Sequence, residues 1–416
     1  MKTICIYLMI AVIVLTACSN KTKENNPDCL ITESIYEINL SGDFAGSKCE
    51  NLLLSDFVED VEYVQLETTD DCLIGTTSFC ALTNTDIYVL NTDFTHEQLF
   101  RFDRLTGKFI KQIGKTGQGP KDMLNPSALY AENDIVYVSS SVMDKVYVYQ
   151  KNGEYIQTLS MDKGMGNRIA VVQDKYIISH PGVDYVTVAG DDNHKTIGTR
   201  YIAAKILDMK GDSLFAQCDT LKGNVILDLN PIRWYYNGVV NYYNETDATI
   251  YAVNERGATP RYKFNFGKNL WMITEKLEKE HVEYIKFLEI NETSDYLFIY
   301  WSQNQKAYFG RFDKKIQKLE VQEEVAFKGR FWLLYAYGPK NNIDGCGIYF
   351  EPGKSYEDKT GSILFKITPD NIDRVREALE KAENVKFPEK RQQLLKMLDE
   401  RKEDDNPILV IYKLKK

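Results

Sequence analysis

The sequence predicts an all-β protein: a six-bladed β-propeller of four-stranded blades, its last blade closed by strands from both termini, with two short helical insertions. Three observations predict it. A unit of two β-rich runs recurs six times along the 416 residues. Gly-containing turns follow the second run of four of those units. The 27 tyrosines suit half-buried sheets better than a helical core.

The N-terminus comes first, because it removes residues from the fold. An apolar run from Ile4 to Ala17 follows Lys2 and ends in "LTAC". It is too short to cross a bilayer, which takes about 20 apolar residues, and its charged start and small terminal residues describe a secretory signal. Cys18 directly after Leu-Thr-Ala resembles a bacterial lipoprotein signal. That resemblance implies a signal peptide over residues 1–17, an acylated Cys18 as first residue of the mature chain and, with Ser19 next, the outer membrane. Residues 18–34 then read as a polar, flexible tether, and 35–416 as a single propeller domain.

Composition excludes some partners. Sixty acids against 51 bases give a net charge of −9, and no basic tract offers a phosphate-tracking surface, so nucleic acid is not expected. A monomer that touches the membrane only through its lipid is expected. Besides Cys18, the exported body carries Cys29, Cys49, Cys72, Cys80, Cys218 and Cys346. Six thiols allow 15 pairings, and spacing selects none of them.

The repeat is legible strand by strand. First strands are "IYVL" (87–90), "IVYVS" (135–139), "YIIS" (176–179), "VVNYY" (239–243), "YLFIYW" (296–301) and "RFWLLYAYG" (330–338). Second strands are "LFRFD", "KVYVY", "AAKILD", "IYAVN", "YFGRFD" and "ILFKI", beginning at 99, 145, 203, 250, 308 and 363. Such a period fits a four-stranded blade. Gly107, Gly153, Gly211 and Gly257 sit between β-rich runs, where a tight hairpin needs positive φ.

"IGKTGQGPKDMLNP" (113–126) superficially offers a phosphate loop, but the spacing rejects it. Counting back five from Gly114 lands on Phe109, and the third glycine of a dinucleotide fingerprint would fall at Asp122. The stretch reads instead as the turn from the rim of one blade to "PSALY", the inner strand of the next. "FDRLTGKFIKQIGKTGQGPKDMLNPSAL" (102–129) resembles the blade-to-blade signature of NHL-like six-bladed propellers. With "VEYVQLETTDDCLIG" near the start and "DDNPILVIYKLKK" at the end, the mature chain resembles the six-bladed β-propeller lipoproteins of Gram-negative gut anaerobes, a mostly uncharacterised family. It departs from many relatives after Pro120, where they carry Gly-Glu.

Closure and insertions complete the expected fold. "VEYVQLE" (61–67) and "ILVIYKL" (408–414) have no unit of their own and are expected to lock the last blade, since an open ring leaves sheet edges exposed. Helical insertions are expected at about 271–290, with Leu277, His281, Tyr284, Ile285 and Leu288 near one face, and at 370–405. The second places Ile372, Val375, Leu379 and Ala382 at helical spacing, breaks at Pro388, and resumes with Leu394, Leu395 and Leu398.

Catalytic signatures are sparse. The four histidines are His96, His180, His194 and His281, and "HEQLF" has Phe100 where a zinc motif needs its second histidine. The most suggestive binding patch is "NPIRWYYNG" (230–238), with candidate residues Arg233, Trp234, Tyr235 and Tyr236. Alternation sends Trp234 and Tyr236 to one side and Arg233 and Tyr235 to the other, and aromatic faces beside polar groups suit sugar rings or peptide side chains. Trp301 and Trp332 lie inside strand-like runs and read as core.

Three functions are compatible with this. One is a non-catalytic outer-membrane binding or scaffolding lipoprotein serving glycan or peptide uptake, with no cofactor. Another is a propeller enzyme, a lactonase-like hydrolase or a lyase, with a divalent cation in the channel and Asn125 or Asn167 among its ligands. The last is an envelope assembly or signalling part that docks another protein through residues 370–405.

Overall fold

The computed structural model describes residues 35–41, 47–50, 52–75, 78–92, 97–140, 142–161, 168–172, 175–180, 182–189, 195–222, 232–254, 257–267, 285–303, 306–324, 326–328, 334–337, 339–347, 349–350, 356–357 and 362–415. Six antiparallel sheets of blade type form a β-propeller. Blade 1 runs from Ser78 to Lys115 and blade 2 from Ala128 to Ser160; each stacks its four strands in chain order from axis to rim. Blade 4 begins at Arg233–Tyr236 and blade 5 at Lys286–Glu292.

Blade 3 departs from the pattern by an extended hairpin. Tyr176–His180 and Gly182–Ala189 pair with the 14-residue strand Lys195–Asp208 in one continuous register, from Tyr176↔Asp208 to Ala189↔Lys195. Its outer strand, Ser213–Lys222, follows that strand from Leu207 to Gly198. The hairpin projects from the face that carries the blade-to-blade connections. The turns inside each blade, between first and second and between third and fourth strands, lie on the opposite face, as antiparallel order requires. We call this the turn face.

Closure follows the sequence expectation. Ile408–Leu414 pairs with Val58–Gln65 on one side and Ser362–Ile367 on the other, so blade 6 takes its rim strand from the N-terminus. Before that, the N-terminal segment straps the rims of the neighbouring blades. Tyr36–Asn39 adds a parallel fifth strand to blade 4, Lys48 bridges Val321 on blade 5, and Leu53 bridges Lys340. Five buried clusters mark the blade seams around the ring. Cys80 and Phe100 meet Leu364 and Ile411 at the seam between blades 1 and 6, for example.

Two expectations need correction. "RFWLLYAYG" does not open the sixth blade: Leu334–Tyr337 pairs with Ala326–Lys328 and Tyr349–Phe350 in a small separate sheet. The two runs of each unit are the second and third strands of blades 1 to 5, as Asp86–Asn91 and Gln98–Asp103 are in blade 1, whereas in blade 6 "ILFKI" takes the second place and Ile408–Leu414 the third. The runs have equal β-propensity, and only the partner across each ladder tells them apart. In the insertion expected over 271–290, residues 286–290 belong to the first strand of blade 5. "KFLEI" offers apolar residues at both helical and strand spacing, and pairing with Tyr296–Gln303 decides for strand. Residues 271–284, His281 among them, lie outside the described residues, as do His96, His194 and Trp332; the side chain of His180 is not described either.

The second insertion forms as expected. Helix α1 (Ile372–Lys381) and helix α2 (Pro388–Glu400, with Pro at its first turn) lie between the second and third strands of blade 6. Val375, Leu379, Leu394 and Leu398 are buried in the core beneath. The four turn glycines all have positive φ. At Gly107 (φ +68°) a Cβ would also lie 1.9 Å from the Gln65 carbonyl oxygen, so the turn seats against the closing strand only as glycine. In the "GQGP" turn, Gly119 N donates to Asp122 Oδ2 (2.9 Å), and Tyr149 donates to the Lys121 carbonyl (2.9 Å), which ties the loop to blade 2.

Candidate functional site

Blade 4 opens with Arg233–Tyr236, four residues whose β-rich composition and alternation set two opposite faces. Trp234 enters the seam with blade 5, 1% exposed, and its Nε1 donates to Glu292 Oε2 at 2.9 Å. Tyr235 turns the other way and stacks on Tyr130 of blade 2 at 6.2 Å between ring centroids. Arg233 is half-buried, opposite Tyr242 in the ladder. Tyr236 is half-buried at the turn-face end of the strand. Asn237 and Gly238 follow, both at positive φ (49° and 74°), the pair a two-residue hairpin favours.

This hairpin forms one lip of a cavity of about 550 Å³ that opens on the turn face. Tyr235, Tyr236 and Glu292 contribute to its walls from blades 4 and 5; Glu62, Arg104 and Lys413 contribute from blades 6 and 1. Of the four candidate residues, the structure brings Tyr235 and Tyr236 to the cavity and sends Trp234 into the seam. Asn125 is exposed on the connection between blades 1 and 2, on the other face, and Asn167 lies outside the described residues.

Glu292 is the chemical centre of the first wall. Its side chain is 0% exposed and takes a bidentate pair from Arg261, with Nη1 to Oε2 at 2.8 Å and Nη2 to Oε1 at 2.7 Å. Lys314 Nζ lies 2.8 Å from Oε1, and the Tyr262 hydroxyl donates to the same oxygen at 3.1 Å. Burial pushes the Glu292 pKa up, but Arg261 and then Lys314 outweigh it and hold the carboxyl below its ordinary value. Burial lowers the Lys314 pKa, only partly offset by Glu292. Both cations also lie over the Tyr236 ring, Lys314 Nζ at 4.1 Å from its centroid and Arg261 Cζ at 5.3 Å.

The second wall repeats the arrangement in a wetter setting. Glu62 accepts from Lys413 Nζ at 2.6 Å and from Arg104 Nη2 at 3.4 Å. Lys413 also lies 3.5 Å from Asp60, and Arg104 Nη1 donates to the Thr83 carbonyl at 2.7 Å. Burial raises the Glu62 pKa, and Lys413 and Arg104 bring it below the ordinary value. Glu292 and Glu62 are thus both held ionised. Neither can serve as a general acid near neutral pH, a role that needs a raised pKa.

Sequence reasoning did not single out these charged residues, although the repeat carries a signal for two of them. Arg104 and Lys314 each follow a Phe-Asp pair at the end of a third strand. Their backbone N–H groups donate to Thr85 and Asp295, both in turns that open a second strand, at 3.0 Å each. Lys151 fills the same place in blade 2, bonded to the Asp134 carbonyl at 2.7 Å. Aligned repeats therefore show a basic residue aimed at the turn face. Glu292 and Arg261 have no such local mark, because they meet only across a seam. Among the described residues, no group of three His, Cys, Asp or Glu side chains is placed to hold a metal. Cys49, Cys72, Cys80, Cys218 and Cys346 are free thiols.

Ring and cavity together define a β-propeller with a polar, aromatic-edged site grafted onto its intra-blade turns, so function has to be argued from that site. The chain belongs to the family described as domain of unknown function DUF4934, whose model matches residues 35–413. A crystal structure of a Bacteroides fragilis protein described as exported shares the fold, with a TM-score of 0.59 and 15% identity over 92% of this chain and 100% of that one. A member of the DUF4221 family from Bacteroides vulgatus matches with a TM-score of 0.41 and 12% identity, over 67% of this chain and 91% of its own. No curated protein matches the chain in sequence. Among the described residues no helix is long and apolar enough to cross a membrane.

Proposed function

We propose that this chain is an exported, lipid-anchored binding protein of the cell envelope, held at the outer membrane through Cys18, whose turn-face cavity takes a carbohydrate or peptide ligand without transforming it. The observation that carries this reading is the cavity of about 550 Å³ with the half-buried Tyr236 on its wall and charge-paired side chains around it. That volume falls within the usual range for small-ligand sites, and an aromatic ring beside convergent polar groups fits either ligand. The signal-like residues 1–17 support export, as does the B. fragilis structure of the same fold, described as exported. Assignment of the blade signature to NHL-like repeats rests on residues 102–129 alone.

Two experiments test the reading. Radiolabelled fatty acid should enter the full-length chain in a Gram-negative host and be lost in Cys18→Ser; incorporation without Cys18 contradicts the anchor. Glycan and peptide arrays probed with the mature protein should give binding that Tyr236→Ala weakens at least tenfold. A divalent cation in the channel is the alternative chemistry. Elemental analysis before and after chelator decides it, since a stoichiometric, removable metal moves the reading to a hydrolase or lyase.

A further inference from the structure

The two walls of the cavity share one design, which narrows the ligand class left open above; the argument rests on that cavity being the ligand site. The two partly or fully buried carboxylates of the walls are already neutralised. Glu292 carries Arg261 and Lys314, and Glu62 carries Arg104 and Lys413. The acids next to these pairs, exposed Asp295 beside Lys314 and half-buried Asp60 beside Lys413, take up the second cation of each pair electrostatically. Exposed Glu59 and Lys415 at the rim are of opposite sign. The cavity is rich in charge yet has no surplus of either sign, so a charged ligand would have to break an existing pair or remain uncompensated, and both are costly.

Donor and acceptor capacity remains in the second wall even though its charge is matched. In the first wall it is spent: the Glu292 oxygens take Trp234, Arg261, Tyr262 and Lys314, and Lys314 also donates to the Thr293 carbonyl. The Arg104 guanidinium has five donors, of which the Glu62 and Thr83 contacts engage two. The half-buried Glu62 carboxylate can accept a hydrogen bond from one hydroxyl while Arg104 donates to the oxygen of its neighbour. A vicinal diol satisfies both at once, since each hydroxyl is donor and acceptor. On the first wall, the half-buried ring of Tyr236 offers an apolar surface to the C–H face of a pyranose.

We infer that the cavity is a neutral-oligosaccharide site, in which the Glu62–Arg104–Lys413 group holds a sugar diol and Tyr236, on the opposite wall over the buried and charge-matched Glu292, stacks against the sugar ring. Charged saccharides and charged peptide termini are poor ligands. Glu62 also sets the selectivity: it balances Arg104 and Lys413, and without it the second wall becomes cationic.

The test is calorimetric titration of the full mature chain with three probe sets of matched length: neutral hexose oligosaccharides, the corresponding uronic acid oligosaccharides, and tetrapeptides. Neutral probes should bind at least tenfold more tightly than the other two, with an affinity that changes less than twofold between low salt and 0.5 M salt, because no net charge is matched. Glu62→Gln should reverse the preference toward the uronic probes. Tighter binding of uronic probes or peptides by the wild type, abolished by Tyr236→Ala, overturns this inference and leaves the cavity as the ligand site. Failure of all three sets, or binding indifferent to Tyr236→Ala, overturns the cavity reading itself.

Discussion

Two carboxylates, Glu292 at a blade seam and Asp344 beneath a loop on blade 6, are each fully enclosed, yet they are built in opposite ways. Glu292 is surrounded by cations and kept ionised at the wall of a cavity. Asp344, in the loop 339–347 packed against blade 6, has only neutral partners. It accepts from the Tyr63 hydroxyl, from Asn341 Nδ2 at 2.7 Å and from the Cys346 N–H at 3.0 Å, with the Tyr412 hydroxyl at 3.3 Å. Burial raises its pKa, and the hydrogen bonds only partly oppose this. The contrast separates a site from a staple: the cations on Glu292 also lie over the Tyr236 ring at the cavity wall, whereas Asp344 spends its lone pairs locking strands from both termini to one loop.

The largest effect that bears on this comparison is loss of the staple's main strand. Removing residues 406–416 deletes the third strand of blade 6 together with Tyr412, and the chain should lose its cooperative unfolding transition by circular dichroism. An unchanged melting curve would show that the ring does not depend on this closure. Next comes Arg261→Ala, which leaves a buried carboxylate without its bidentate partner. It should cost about 3–5 kcal/mol in urea unfolding, the usual penalty for breaking a buried pair. Asp344→Asn keeps the shape but turns acceptors into donors facing other donors, at about 1–3 kcal/mol.

Acid separates the two regions by sign. Glu292 has a folded pKa below the ordinary 4.5, so its stabilisation is complete above that value and is lost as pH falls through the lower folded value. The cost of Glu292→Gln should therefore shrink on acidification below about pH 4. Asp344 has a folded pKa above the ordinary 3.8, so the native state takes up a proton first and gains stability as pH falls through the raised value. The cost of Asp344→Asn should grow between pH 7 and pH 4, as read from denaturation midpoints. The smallest stability effect is that of Tyr236→Ala, about 1–2 kcal/mol for a half-buried ring with two cations over it.

The sequence shows clearly what repeats and what terminates. Blade count, turn glycines, closing strands and the α1–α2 pair follow from periodicity and turn chemistry, which are local. The sixth unit is not legible locally, because "RFWLLYAYG" and "ILFKI" both have strand character and only their partners place them in different sheets. The site was half legible. The "RWYY" run drew attention through its composition, and alternation correctly separated Trp234 from Tyr235. Glu292, Arg261 and Lys314 belong to three strands or turns of two blades, 31 residues apart for the Arg261–Glu292 pair, and nothing local joins them. Such a cluster becomes visible only once the seam has formed.

Binding measured on two folded variants tests the division between site and staple most directly. Tyr236→Ala and Asp344→Asn, each shown to be folded by circular dichroism, are titrated with the neutral oligosaccharides bound by the wild type. The account predicts at least a tenfold loss in Tyr236→Ala and affinity within twofold of wild type in Asp344→Asn, despite the lower stability of the latter. Wild-type affinity in Tyr236→Ala, or equal losses in both, would contradict it.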